Sequence, residues 1–252
     1  MGQADNYSLY FKEKLQPARF WKRHNRFLIS CTLETPDKNN KVPKEELVEV
    51  HLADPGRLKE LLIPGKQIWL RPVMNNPQRR TRWSAALVEN PEGSGLVSID
   101  STLPNRLISK ALSNNVLSEF KEWTIQKAEY KTDNSRFDFL LTNGNYYLAL
   151  EVKSVTLVKD GTALFPDAIT TRGKKHVHEL TEIASHEGWE AAVLFVVQRE
   201  DAHRVSAARE IDASFADALS YAKSNGVKIL GIRCRVTPQA VSIDKFIPAG
   251  WS

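Results

Sequence analysis

The sequence predicts an α+β protein, a small N-terminal β-barrel followed by a mixed sheet flanked by helices. Three observations carry this. The first hundred residues read as short β-runs punctuated by Gly, Pro and Asn, and the remainder alternates helical periodicities with strands. At 252 residues, with 42% hydrophobic and 26% charged content, the chain has the balance of a soluble globular protein large enough for two modest cores.

The runs of the first unit are "RFLISCTLE", "LVEVHLA", "KQIWLRPV", "WSAALVE" and "GLVSIDS". Five short strands fit a small barrel, of which the OB-fold is a nucleic-acid-binding example. The rhythm changes near residues 100 to 106. Residues 1–104 are therefore expected to form an OB-like nucleic-acid-binding domain and residues 105–252 a second domain. That domain opens with a helix at "NRLISKALSNNVLSEF", which carries Glu119 near its end, and continues with strands at "WTIQKAEYK", "SRFDFLL" and "YYLALEVKSVTLV". A helix at "GKKHVHELTEIASHEG" and a strand at "AAVLFVVQ" follow. "DASFADALSYAKSNG" reads as another helix, with Asp212 as its N-cap and Gly226 just past its end. Late strands are expected at "VKILGIRCRVT" and "AVSIDKFI".

Composition excludes several classes. No apolar run is long enough for a membrane span, and "MGQADNYSLYFKEKL" is too charged for a secretory leader, so a cytoplasmic protein is expected. Cys31 and Cys234 each stand alone, which suggests free thiols and no disulfide framework. His176, His178 and His186 lack a zinc-ligand spacing. Neither a Gly-x-Ser-x-Gly elbow nor a phosphate-binding Gly-rich loop occurs.

The net charge is +5. Cations gather in "NNPQRRTRW", Asn75 to Trp83, with Arg79, Arg80 and Arg82, and in "TRGKKHVH", Thr171 to His178, with Arg172, Lys174, Lys175 and His176. Such stretches neutralise successive phosphates, and the second precedes a helix whose N-terminal N–H groups favour anions. Arg57 and Arg136 join the candidate nucleic-acid contacts. DNA is the expected partner, with RNA open. His51, at a strand end beside Asp54 and Arg57, is a candidate for the barrel's ligand surface. Asp167 in "FPDA" reads either as a turn cap or as an acid near a metal.

The strand "YLALEVKSV", Tyr147 to Val155, puts Ala149, Glu151 and Lys153 on one face and Leu148, Leu150 and Val152 on the other. A two-residue turn at Asn143-Gly144 joins it to "SRFDFLL" as a hairpin. Thr142 would then pair with Asn145, Asp138 would oppose Ala149, and Arg136 would oppose Glu151. Asp138, Glu151 and Lys153 then share one face, with Phe137 and Phe139 on the apolar one. Two carboxylates at diagonal positions suit a Mg²⁺ ion, which takes oxygen ligands. The alternative is a wet sheet face with an ordinary Arg136–Glu151 ion pair.

The order Asp, hairpin, Glu-x-Lys within helix-strand-strand-strand-helix-strand resembles the PD-(D/E)XK nuclease superfamily, with "FD" in place of "PD". Over nearly the whole chain, "RFLISCTL", "VHLADPGRLKELLIPG", "NRLISKAL", "SRFDFLL", "EVKSVTLV", "ALFPDAITTRGKKHVHEL" and "FVVQRED" resemble the sugar fermentation stimulation protein family, SfsA. One departure is "ADPGRL", Ala53 to Leu58, where some members have a "PNTG" version. The resemblance implies an OB-like domain joined to a nuclease-like domain, and DNA binding linked to sugar-utilisation genes. It implies catalytic roles for Asp138, Glu151 and Lys153, with Gln198 supporting the lysine. Mg²⁺ or Mn²⁺ would be held by Asp138, Glu151 and the Val152 carbonyl. Glu119 is a further candidate ligand. Two functions follow from it, a metal-dependent nuclease and a non-enzymatic DNA-binding regulator that keeps the nuclease fold as a scaffold.

Overall fold

A computed structural model describes residues 7–35, 44–74, 78–93, 95–132 and 135–250. The Asn75–Pro77 part of the first basic cluster lies outside the described residues.

The N-terminal unit is a five-stranded OB barrel. Its strands are β2 (Gln16–Arg23), β3 (Leu28–Thr35), β4 (Lys44–His51), β5 (Gln67–Pro72) and β6 (Trp83–Glu89), following a short β1 (Ser8–Tyr10). They lie in the order β4-β3-β2-β5-β6, and a parallel β4–β6 pairing at Val50↔Trp83 closes the barrel. β7 (Leu96–Ser98) continues the sheet beyond β6. The core contains Phe20, Ile29, Val50, Leu58, Leu61 and Ile68, supplied at period two by the strands and by the turn after "ADPG".

β2 belongs to the barrel although "QPARFWKR" is not among the β-runs expected from the sequence. The signal is present in it, since Ala18 and Phe20 point inward between exposed Pro17, Arg19 and Trp21. The run "GLVSIDS" supplies β7, outside the closed barrel.

The C-terminal unit is a curled mixed sheet with three helices. Helix α1 (Leu103–Ser113) is followed by a 3₁₀ turn at Ser118–Phe120, so Glu119 is exposed on that turn and not on a helix. Next come β8 (Thr124–Lys131), β9 (Arg136–Thr142), β10 (Tyr147–Val155), β11 (Val158–Lys159), β12 (Thr162–Phe165), α2 (Thr171–Ala184), β13 (Trp189–Val197), β14 (Arg204–Ala207), α3 (Ala213–Ser224), β15 (Lys228–Val236), β16 (Ala240–Ile247) and β17 (Ala249–Gly250). Seven strands form the main sheet in the order β1-β16-β15-β13-β10-β9-β8, and β11-β12-β14-β17 form a smaller one. β1, although it precedes the barrel strands, belongs to the sheet of the second unit, where it pairs with β16.

Helix α1 covers one face of the main sheet with Leu107, Ile108 and Leu112; α2 and α3 cover the other with Val177, Leu180, Phe215 and Leu219. Asp212 caps α3 by accepting from the Phe215 amide, and Thr170 caps α2 by accepting from Gly173.

Polar contacts join the two units. Arg199 is 2% exposed, bonds both Asp201 oxygens and the Thr156 carbonyl, and reaches Asn90 of the barrel, whose amide bonds Asp201 in turn. Ser101 Oγ donates to the Ala53 carbonyl, and the Arg57 amide donates to Asp167 Oδ2. The carboxylate of Asp167 thus fixes the "ADPGRL" loop against the nuclease-like sheet.

Candidate functional site

β9 and β10 form the expected hairpin with a different register. Thr142 pairs with Tyr147 and Ala149 with Leu140, so the loop spans residues 143–146. The loop's own side chains hold it. Asn143 Oδ1 accepts from the Asn145 and Tyr146 amides, and Thr142 Oγ1 accepts from Gly144, whose φ of +93° suits glycine. A slip of two residues preserves the alternation of faces, so Asp138, Glu151 and Lys153 keep their common one. Extended by one step, this register sets Asp138 directly opposite Glu151.

The ladder stops at Phe139↔Leu150, where the strands separate. There the Val152 amide donates to Asp138 Oδ2 at 2.7 Å, taking a side-chain acceptor in place of a backbone carbonyl. Phe137 departs from the sequence reading. It packs in the helix-covered cluster with Ala149, edge-on to His176, while Phe139 stays on the α1 side. Arg136 also departs, lying 3.5 Å from Glu129 as the strand turns away from Glu151.

Asp138, Glu151 and Lys153 line one cleft of about 420 Å³, with the Val152 backbone beside them. Barrel residues Asp54, Pro55 and Gly56 form another wall, and Asp167 and Arg172 complete it. The cleft thus draws on both units. Asp54 Oδ1 accepts from the Gly56 amide, and a Cβ on Gly56 would lie 2.4 Å from Asp167 Oδ2, so a larger residue there would have to displace the acids that flank it.

Glu151 is 5% exposed. Its Oε1 lies 2.5 Å from Lys153 Nζ and 2.7 Å from His176 Nδ1, while its Oε2 is buried with no hydrogen-bond partner among the described residues. Burial alone would raise the pKa of Glu151, but the His176 hydrogen bond and the Lys153 charge outweigh it and hold the carboxyl below its ordinary range. Asp138 goes the other way. Burial and then the Glu151 charge push it up to about 6, against the hydrogen bonds from Val152 and Asn105. Two neighbouring carboxyls driven apart in this way mark a site short of positive charge.

These residues fit a hard divalent cation. A carboxylate oxygen that is buried and has no partner among the described residues sits in a cleft beside a second carboxyl raised by burial and then by its neighbour. Among the described residues no three His, Cys, Asp or Glu groups are assembled to hold a metal. Two carboxylates with waters completing the coordination is the arrangement Mg²⁺ ordinarily takes.

The other expected residues are dispersed. Gln198 is fully buried, with Nε2 bonded to Ser154 Oγ on the sheet face opposite Lys153, because its place in the strand has the parity of Ser154. His176 is 4% exposed and faces Glu151, since on α2 it points toward the sheet; the sequence alone suggests a nucleic-acid contact for it and carries no sign of this bond. Arg172 Nε donates to His176 Nε2 at 3.4 Å. Arg172, Lys175 and Arg136 line a second groove, with Lys174 half-buried nearby on α2. Arg79 donates to Ser84, Arg80 lies 3.5 Å from Glu49, and Arg80 and Arg82 border a groove on the barrel, away from the cleft. His51 stacks on Phe27, and the exposed Arg57 uses its backbone to hold Asp167.

A barrel of OB type joined to a restriction-endonuclease-like sheet bearing Asp138 and Glu-x-Lys defines a two-domain protein of nuclease-like fold. Residues 22–99 match the family model described as the SfsA N-terminal OB domain, and residues 102–240 match the sugar fermentation stimulation protein RE domain; the chain belongs to this family. It is 41% identical over 234 residues to the sugar fermentation stimulation protein homolog of Shouchella clausii, covering 93% of this chain and 97% of that one. The Moorella thermoacetica homolog is 40% identical, covering 90% and 92%. The solved structure of Pyrococcus furiosus SfsA in complex with Ca²⁺ aligns with a TM-score of 0.84 at 23% identity, covering 97% of this chain and 99% of that chain. No helix among the described residues is long and apolar enough to cross a membrane.

Proposed function

We propose that the chain binds nucleic acid, with DNA as the first candidate, and hydrolyses phosphodiester bonds with Mg²⁺ or Mn²⁺. The observation that carries this is Glu151 Oε2, buried, without a partner among the described residues and in the same cleft as Asp138 and Lys153. The Ca²⁺ in the solved structure of the Pyrococcus furiosus relative supports divalent-metal binding in the family.

Asp138 and Glu151 would hold the ion, with the Val152 carbonyl as a further oxygen. Bound there, a divalent ion supplies Lewis-acid polarisation of the phosphate and a lowered pKa for bound water. His176 holds Glu151 Oε1 and so fixes the carboxylate with its other oxygen free. Asn105 donates to Asp138 Oδ1 and the Val152 amide to its Oδ2, which fixes that carboxylate through both oxygens. The ammonium of Lys153, half-buried in the cleft, orients the attacking water and stabilises charge developing on the phosphate.

The test is a screen of end-labelled single-stranded, duplex and branched DNA and RNA with Mg²⁺, Mn²⁺ or EDTA, for wild type and Lys153→Ala. Metal-dependent cleavage by wild type, lost in the variant, is expected. Binding without cleavage of any substrate would leave the regulator reading in its place.

A further inference from the structure

We propose that a second groove beside the cleft seats the phosphodiester backbone of the substrate strand and leads it to the carboxylates; this rests on the reading of the cleft just given. The groove is about 470 Å³ and is lined by Lys131, Ser135, Arg136, Arg172, Lys175 and His176. The end of β8 and the start of β9, at Lys131, Ser135 and Arg136, form one wall and the first turns of α2 the other. Among the described residues its lining holds four Lys and Arg side chains and no carboxylate, whereas the neighbouring cleft is lined by Asp54, Asp138, Glu151 and Asp167.

Two observations point to a phosphate-bearing occupant. Lys131 and Arg136 are direct cross-strand partners, with β8 at the edge of the sheet. Like charges placed opposite each other destabilise a sheet, and an anion between them offsets that cost. The acids nearby do little of this. Glu129 lies 3.5 Å from Arg136 and Glu179 lies 3.6 Å from Lys175, both long, partly exposed pairs of small worth.

The second observation is continuity. Arg172 lines both the groove and the carboxylate cleft, and its Nε is bonded to His176, which holds Glu151. A polymer with regularly spaced phosphates can occupy the groove and present one phosphate to the cleft at once. The N-terminus of α2 adds its own preference for anions at this point.

The test is fluorescence anisotropy of labelled single-stranded and duplex DNA oligonucleotides, in EDTA and over a range of salt concentrations. Wild type is compared with Lys131→Gln/Arg136→Gln, Lys175→Gln and, as control, Lys121→Gln, an exposed lysine just after the 3₁₀ turn that precedes β8. The double variant should bind about tenfold or more weakly. Its slope of log K against log salt should fall by about 0.9 for each phosphate that is no longer neutralised on duplex, or about 0.7 on single strand. Lys175→Gln should move both quantities the same way by a smaller amount. Affinity and slope equal to those of Lys121→Gln would overturn the proposal. With no metal present, turnover does not enter the measurement. Weakened binding in a protein that never cleaves would sustain the groove and sink the catalytic reading, and unchanged binding with intact metal-dependent cleavage would do the reverse.

Discussion

Replacing Asp138 by Asn tests the electrostatics of the cleft. Burial and Glu151 lift the Asp138 carboxyl from its ordinary 3.8 to about 6. Because the folded-state value is raised, the folded protein holds the proton longer than the unfolded chain, and stability falls as pH rises through this window. Two pKa units correspond to roughly 3 kcal/mol lost once the group is ionised in both states. Asn removes that loss but offers a single acceptor where the carboxylate serves both Asn105 and Val152, which costs about 1–2 kcal/mol. The metal-free variant should therefore be more stable than wild type by about 1–2 kcal/mol near pH 8, a rise in melting temperature of about 2–8 °C. Near pH 4 wild-type Asp138 is protonated, and the advantage should vanish or reverse. Added Mn²⁺ at about a hundred times its Kd should stabilise wild type by about 2.7 kcal/mol and the variant far less. Thermal melts at both pH values, with and without Mn²⁺, measure all of this. An equal Mn²⁺ shift in both proteins, or the same difference at every pH, would refute the reasoning.

Three further outcomes follow from the same structure. Asp54, pushed up to about 6 by burial and then by neighbouring Asp167, should also cost stability as pH rises from about 4 to 6. Asp54→Asn should flatten that part of the stability–pH curve in urea titrations, and an unchanged curve would count against it. Gly56→Ala should lower stability by about 1–3 kcal/mol in the same assay, because its Cβ would meet Asp167 and Asp54 oxygens at 2.4 and 2.8 Å. Arg199→Ala strips the partners from Asp201 and Asn90 at the joint between the two units and should cost about 3 kcal/mol or more, so a loss below about 1 kcal/mol would show that this joint adds little.

The fold was legible wherever local signals agreed. Asp212 and Gly226 bracket α3 as their chemistry requires, and the alternating runs from β3 to β6 are barrel strands. β1 and the small sheet escaped because strands of two to four residues carry too little periodicity to be read alone. The turn residues of the hairpin were recognised, but its register depended on Asn143 and Thr142 capping a wider loop, a detail that spacing does not encode. The triad kept its common face because the slip was an even number of residues. His176 was invisible as a partner of Glu151, since that bond exists only once α2 packs on the sheet. Asp54 was legible only as a loop acid and Asp167 as either a turn cap or an acid near a metal, because folding is what brings the barrel loop to the cleft.

The most direct measurement of the central claim is anomalous diffraction from crystals soaked in Mn²⁺. A metal site built from these strands requires a peak at coordination distance, ~2.1 Å for a Mg²⁺-like ion, from carboxylate oxygens of both Asp138 and Glu151, and its loss in Glu151→Gln. A Mn²⁺ peak that touches neither residue, or none in the cleft while the ion saturates elsewhere, would contradict it.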